Sequence, residues 1–313
     1  MTDLATAAPI RPYLDWPVVT DPDRWGGPVA LIGIPFSEPY AGDPSPNDQA
    51  LAPDMIRLQT RQFWDGPERF DFDLGAALDD LLPGRGIDAG NCFRTADFEQ
   101  DFAANIARLK RLFSTTELVC MIGGDHGATI PVLHGLEAVG KPVHVVQIDA
   151  HLDWRDEVGG VRRGYSSPLR RASELPFVSG ITQIGLRGTG SARPGEVADA
   201  RAWGARLITA EEVHRDGVAP ILAHLEGKGP YYLTIDADGI DPSAMPAVMG
   251  PVPGGLTVEQ VYRIVRFLAG SGSLVGIDLV EVAPSFDLAN YVTSLTAGRI
   301  VLNAIGHALA AKA

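Results

Sequence analysis

Three short segments place acids and imidazoles directly after apolar runs. Val119-Cys120-Met121-Ile122 leads into Gly123-Gly124-Asp125-His126-Gly127, Val145-Val146-Gln147-Ile148 into Asp149-Ala150-His151-Leu152-Asp153, and Leu233-Thr234-Ile235 into Asp236-Ala237-Asp238-Gly239-Ile240-Asp241-Pro242. In an extended chain, residues i, i+2 and i+4 point to one side, so Asp149, His151 and Asp153 are expected to share a face, as are Asp236 and Asp238. Two such carboxylate-rich faces on neighbouring strand ends repel each other unless a cation lies between them. Carboxylate and imidazole donors without thiolate suit Mn2+, and they also suit Ni2+, Zn2+ or Fe2+. His126, Asp149, His151, Asp153, Asp236 and Asp238 make six donors, enough for a two-ion site. Ions roughly 3.5–4 Å apart can lower the pKa of a shared water, so the chemistry expected is hydrolysis.

Taken singly, each segment has an ordinary structural explanation. Gly-Gly-Asp-His is a common turn, and Asp with Pro favours Asx-type turns such as Asp236 to Pro242 could form. Three donors at period two directly after a buried strand are less ordinary, and their recurrence at three strand ends points to metal. His134, His144, His214, His224 and His307 fall inside helix or strand patterns without donor-like neighbours and are expected on the surface or in the core. Gly185, Gly188 and Gly190 have the wrong spacing for a dinucleotide fingerprint. A further strand candidate ends at Glu281, in Val280-Glu281-Val282-Ala283-Pro284, where a carboxylate could either pair with an arginine or accept bidentate hydrogen bonds from a planar guanidinium.

The elements that would position these residues alternate. Strand candidates at Val29–Ile34, Leu118–Ile122, Val143–Ile148, Ile181–Ile184, Tyr231–Ile235 and Leu274–Leu279 are interleaved with helix candidates at Phe102–Phe113, Thr129–Ala138, Ser167–Ser173, Glu211–Leu225, Thr257–Ala269 and Ala289–Leu309. That pattern predicts parallel βαβ units, whose ligands bind beyond the carboxyl ends of the strands. No linker or repeat divides the 313 residues, so one domain is expected, with residues 1–27 as an N-terminal extension. With 39 acidic against 26 basic residues, the chain lacks the basic footprint that nucleic acid or an anionic membrane would need. Two isolated cysteines argue against a disulfide framework, and neither a signal peptide nor a membrane-spanning run is found, so a cytoplasmic location is expected.

The segments at 123–126, 149–153, 236–242 and 280–284 together resemble the ureohydrolases, the family of arginases, agmatinases and related guanidino hydrolases. The resemblance runs from about Ala30 to Gly306. It implies an α/β fold, a three-layer α/β/α sandwich with a mostly parallel eight-stranded sheet, assembled as a homo-oligomer, a trimer or hexamer. It further implies that His126, Asp149, Asp153 and Asp236 hold one ion and Asp149, His151, Asp236 and Asp238 the other. Asp153 would pass a proton to the leaving nitrogen, Glu281 would hold the guanidinium, and the products would be urea and an amine. Manganese is the family's usual metal, and some members use nickel.

The departures concern the substrate pocket. Agmatinase-like members carry His-Gly-Thr-Pro where this chain has Tyr165-Ser166-Ser167-Pro168, which makes Tyr165 a candidate substrate-binding residue and removes a histidine proton shuttle. The early glycine-rich segment becomes Phe36 to Pro46, and Pro-Gly-Thr-Gly becomes Pro246-Ala247-Val248-Met249-Gly250. The arginase pattern that recognises an α-amino acid is missing after Asp153. Agmatine-like cationic compounds rank first, because Glu38, Asp43, Asp156 and Glu157 are expected near the mouth. Apolar Val248 and Met249 would also suit guanidine, a short guanidino acid or a biguanide. A deacetylase and a non-catalytic subunit of a hetero-oligomer are the remaining alternatives.

Overall fold

The computed structural model describes residues 4–81, 86–95 and 97–312; residues 1–3 of the expected N-terminal extension, 82–85, 96 and 313 lie outside it. The described residues form ten strands: β1 Gly27–Ile34, β2 Phe70–Asp71, β3 Ala76–Ala77, β4 Ile87–Asn91, β5 Thr116–Gly123, β6 Val143–Ile148, β7 Val178–Leu186, β8 Arg206–Thr209, β9 Tyr231–Asp236 and β10 Leu274–Val280. Eight of them form one sheet in the order β4-β1-β5-β10-β9-β6-β7-β8, and β2 pairs with β3 in a small antiparallel hairpin. Every pairing in the large sheet is parallel.

Among the described residues ten α-helices connect them: α1 Ala52–Gln59, α2 Leu78–Leu81, α3 Phe98–Thr115, α4 Thr129–Gly135, α5 Pro168–Ala172, α6 Pro194–Trp203, α7 Ala210–Asp216, α8 Ala219–Leu225, α9 Val258–Gly270 and α10 Val292–Ala310. Strand alternation sorts the core into two layers. Val29, Leu31, Val146, Ile148, Leu233 and Ile235 pack with apolar residues of α1, α9 and α10, whereas Ala30, Ile32, Val119, Met121 and Val145 pack with those of α3, α4 and α6. The central strands are buried on both faces, as continuous apolar runs require. The expected three-layer α/β/α arrangement is thus present.

The differences from expectation lie at the sheet edges, at one break, and in α1, α2, α6 and the β2–β3 hairpin, which match no candidate element. Edge strands β4 and β8 were not anticipated, since Ile-Asp-Ala-Gly-Asn and a four-residue Arg-Leu-Ile-Thr carry little strand pattern. The helix expected over Glu211–Leu225 is two helices, because Gly217 turns the chain at φ 73 and Pro220 in the first turn of α8 cannot continue an earlier helix. Among the described residues, no helix is long and apolar enough to cross a membrane.

A buried ion pair ties the start of the chain to the sheet edge. The Arg57 guanidinium in α1 donates to both Asp88 oxygens in β4, at 2.8 and 2.9 Å, and to Asn91 Oδ1 at 2.7 Å, while Asp88 also accepts from the backbone N–H of Tyr13 at 2.9 Å. Both side chains are inaccessible to solvent. Removing one partner strands a buried charge, so Arg57→Ala is expected to lower the unfolding free energy by about 3–5 kcal/mol, measured by urea titration. His144 offers an acid-side test. Burial, with Lys228 and His224 nearby, lowers its pKa to about 4, and Thr182 Oγ1 lies 2.9 Å from its Nε2. The unfolded imidazole titrates near about 6.5, so the stability tied to a neutral His144 is complete above that pH and is lost as pH falls towards 4. His144→Gln should therefore show a shallower decline in stability between pH 6.5 and 4 than the parent.

Candidate active site

Beyond the carboxyl ends of β5, β9 and β6, tight turns rather than strand alternation aim the acids and imidazoles. At the end of β5, a Cβ on Gly124 would lie 2.6 Å from the carbonyl oxygen of Pro35, so only glycine lets the chain pass. Asp125 then caps a short turn by accepting from the Gly127 N–H at 3.1 Å. At the end of β9, Asp236 Oδ1 accepts from the Asp238 N–H at 2.9 Å, and Gly239 abuts the backbone of Asp149, where a Cβ would sit 2.7 Å from the amide nitrogen. After β6 the chain leaves the extended form: Asp149 Oδ1 accepts from the His151 N–H at 2.6 Å, and Asp153 is left-handed at φ 49. The expectation that alternation alone aligns these residues is corrected accordingly. Asx-type hydrogen bonds take over where the ladder ends, and the side chains still converge.

His126 Nδ1 lies 2.8 Å from Asp153 Oδ2, 3.1 Å from Asp149 Oδ2 and 3.2 Å from Asp236 Oδ2. None of these oxygens is placed to accept a hydrogen bond from that buried nitrogen. On the far side of Asp149, His151 Nδ1 is 3.0 Å from Asp238 Oδ2 and 3.6 Å from Asp149 Oδ1. Two donor groups therefore share Asp149: His126, Asp149 and Asp153 in one, Asp149, His151 and Asp238 in the other.

The tautomer of His126 follows from its other nitrogen. Thr234 Oγ1 donates its proton to Asp278 Oδ1 at 2.6 Å, so it accepts from His126 Nε2 at 3.0 Å, and Nδ1 is the nitrogen that faces the acids. Among three carboxylates Nδ1 takes up a proton or meets a cation: against its burial, the charge on Asp153 and the nearby carboxylate of Asp149 hold the imidazole well above its usual range. The neighbouring groups are shifted in the same sense. Burial and the Asp149 charge push Asp153 up to about 7. Burial, with Asp238 and Asp149, holds Asp236 well above the usual carboxylate range, and hydrogen bonding to Asp149 and Asp238 pushes His151 up to about 12. These groups favour protons or ions over bare charge, and a hard oxygen-rich donor set with two imidazoles fits divalent ions.

Beneath the cluster runs a polar row that the sequence reading passed over. Asp278, Thr234, Gln147 and Gln183 stand side by side on β10, β9, β6 and β7, and none is solvent-accessible. Gln147 Nε2 donates to Asp149 Oδ2 at 2.5 Å and reaches Asp153 Oδ2 at 3.4 Å, and Gln183 Nε2 donates to Gln147 Oε1 at 2.5 Å. Asp278 accepts from Thr129 at 2.9 Å and from the Tyr232 hydroxyl. The available signal was position: Gln147 and Thr234 each precede a candidate ligand by two residues.

The cluster opens into a cavity of about 410 Å³, the size of a small-molecule site. Asp153, Asp236, Asp238 and Glu281 lie at its floor, and Tyr165 and Met249 line it, both partly exposed. Tyr165 packs edge-on against Tyr40 with ring centroids 4.6 Å apart. Glu281, left-handed at φ 67, accepts from the His126 N–H at 2.7 Å and from Gln49 Nε2 at 2.9 Å; burial and Asp125 push its carboxyl up to about 8. Of the acids expected at the mouth, only Asp43 lines the cavity. Glu38 is taken by Arg163 and Asp156 by Arg171 and Arg162, and Val248 is buried in the core rather than lining the pocket. Among the described residues, no lysine or arginine lines it.

Comparison with known proteins gives a consistent picture. The model of the arginase family matches residues 27–306. Proclavaminate amidinohydrolase of Streptomyces clavuligerus is 30% identical over 90% of this chain and 88% of its own, and agmatinase of Chromobacterium violaceum is 31% identical over 89% and 83%. The solved structure of the Streptomyces clavuligerus enzyme superposes with a TM-score of 0.83 at 28% identity, over 97% of this chain and 98% of that one.

The polar row makes a specific prediction. Partners that orient metal-binding side chains are typically worth about 10–100-fold in affinity. Thr234→Val and Gln147→Leu should each weaken divalent-ion binding by about that factor in a chelator competition, with the circular dichroism spectrum unchanged. Wild-type affinity in both variants would show that the row only fills space.

Proposed function

For a chain that belongs to the arginase family, we propose hydrolysis of a guanidino C–N bond, releasing urea and an amine, at a centre built to hold two divalent ions. The observation that carries this reading is His126 Nδ1 facing three carboxylates, with a second imidazole and acid sharing Asp149. His126, Asp149, Asp153 and Asp236 would hold one ion and Asp149, His151, Asp236 and Asp238 the other, with Mn2+ preferred and Ni2+ the alternative. Bound ions of this kind supply Lewis acidity and a water activated for attack near neutral pH. The residues of the chain do the rest. Glu281 receives the planar guanidinium through its carboxylate, the walls around Tyr165 and Met249 limit water, and Asp153 carries a proton to the departing nitrogen.

Agmatine-like substrates are favoured. A cavity with acids at its floor, Asp43 at its wall and, among the described residues, no lysine or arginine in its lining attracts a second positive charge and repels a free carboxylate, and an agmatinase stands among the relatives. The exposed Met249 and Tyr165 support the second reading, guanidine or an alkylated biguanide, because they offer apolar surface to a compact ligand. A short guanidino acid ranks below both, since among the described residues no lysine or arginine lines the cavity to receive its carboxylate. The same reading takes residues 1–313 as one catalytic domain, cytoplasmic, working as a trimer or hexamer.

Urea release should be measured across agmatine, guanidine, guanidino acids and biguanides after loading with Mn2+ or Ni2+. Agmatine is expected to lead, and no urea from any member would overturn the reaction. Asp149→Ala should lose both metal and turnover, whereas Glu281→Ala should keep its metal and lose guanidino binding, with metal content read by elemental analysis.

A further inference from the structure

The segment Asn47-Asp48-Gln49 belongs to no motif, yet its side chains reach three separate parts of the site. Asn47 Nδ2 donates to Asp125 Oδ2 at 2.7 Å, Gln49 Nε2 donates to Glu281 Oε2 at 2.9 Å, and Asp48 accepts from the Ser285 N–H at 2.9 Å. The segment is anchored locally as well, because Asn47 Oδ1 accepts from the Ala50 N–H at 3.1 Å and caps the turn that leads into α1. Gln49 is buried, it lines the cavity, and among the described residues its Oε1 has no hydrogen-bond partner. The amide thus forgoes a partner for its oxygen in order to stand against Glu281.

The kind of donor matters more than the number. Asp125 and Glu281 are neighbouring acids beside the ligand cluster, and among the described residues neither forms an ion pair. Their hydrogen bonds come from backbone N–H groups, of His126 to Glu281 and of Gly127 to Asp125, and from the two carboxamides. A lysine or arginine in place of Gln49 would hold Glu281 equally well but would cancel its charge. A carboxamide fixes the direction of the carboxylate and leaves its charge for a cation arriving through the cavity.

We propose that Asn47 and Gln49 form a neutral clamp on the acid pair Asp125 and Glu281, with Gln49 the positioning residue that sets affinity for the guanidinium of the substrate. The proposal rests on Glu281 as the guanidinium acceptor, so binding and turnover are tested separately. Agmatine binding is measured by calorimetry on the Mn2+-reconstituted protein for wild type, Gln49→Leu, Gln49→Met, Glu281→Gln and the double variant Gln49→Leu/Glu281→Gln, alongside metal content and thermal melting.

Loss of one hydrogen bond to a charged group should weaken agmatine binding by about tenfold or more in Gln49→Leu and Gln49→Met, with metal content unchanged. Since Gln49 acts through Glu281, the double variant should bind no more weakly than Glu281→Gln alone. Gln49→Lys should lose more than Gln49→Leu, because it neutralises the acceptor. Wild-type affinity in both single Gln49 variants, additive losses in the double variant, or no agmatine binding by wild type would each overturn the clamp. If the coupling is present and no guanidino compound yields urea, the hydrolytic reading fails while the clamp stands. If urea is released and the coupling is absent, the clamp alone fails.

Discussion

The architecture is organised around mutual repulsion among buried acids. Asp149, Asp153 and Asp236 bring carboxylate oxygens within 3.2 Å of one nitrogen, and none of them is placed to accept a hydrogen bond from it. In a medium of low polarity such crowding costs far more than on a surface, and it persists only if the backbone leaves the side chains no alternative. That constraint explains the rigidity around the cluster. Turns closed by the acids' own hydrogen bonds, glycines pressed against backbone, and left-handed Asp153 and Glu281 all remove freedom at the points where the charges would otherwise separate. Cations supplied from outside are the economical answer to a geometry the chain enforces.

The row Asp278, Thr234, Gln147 and Gln183 supports this from below and shows why parallel strands suit the task. Register places equivalent residues of neighbouring strands side by side, so one polar layer can underlie ligands from different loops. Each member is buried and hydrogen-bonded to another member or to a ligand, which satisfies the groups and fixes their orientation together. The cavity above has a different character. Its acidic floor gives way to an aromatic ring and a thioether at the opening, so charge and apolar surface are separated along its depth.

Much of this was legible in the residues. The six donors and Glu281 announced themselves because reactive side chains followed apolar runs, and the central strands because buried parallel strands must be continuously apolar. What stayed hidden depends on distance in space. Gln147 and Thr234 read as ordinary polar residues in strands until register sets them beside Gln183 and Asp278. Asn47 and Gln49 lie just beyond the altered segment that ends at Pro46 and belong to no motif, and their partners lie 78 and 232 residues away. Glu38 and Asp156 were expected to attract substrate from their charge alone, but Arg163 and Arg171 occupy them. Edge strands β4 and β8 were missed because a strand with one neighbour needs little apolar pattern.

The strand order carries a consequence for biosynthesis. β10 lies between β5 and β9, so until residues 274–280 are inserted the half-sheet β4-β1-β5 and the half-sheet β9-β6-β7-β8 have no ladder joining them. His126 belongs to the first half and Asp149, His151, Asp153, Asp236 and Asp238 to the second. Asp149, Asp153, Asp236 and Asp238 thus already meet within the second half, on the adjacent strands β6 and β9, while His126 stays apart. As a nascent chain leaves the ribosome, the last of these strands joins the halves and brings His126 to the acids, so the group of His126, Asp149 and Asp153 is completed only at that insertion.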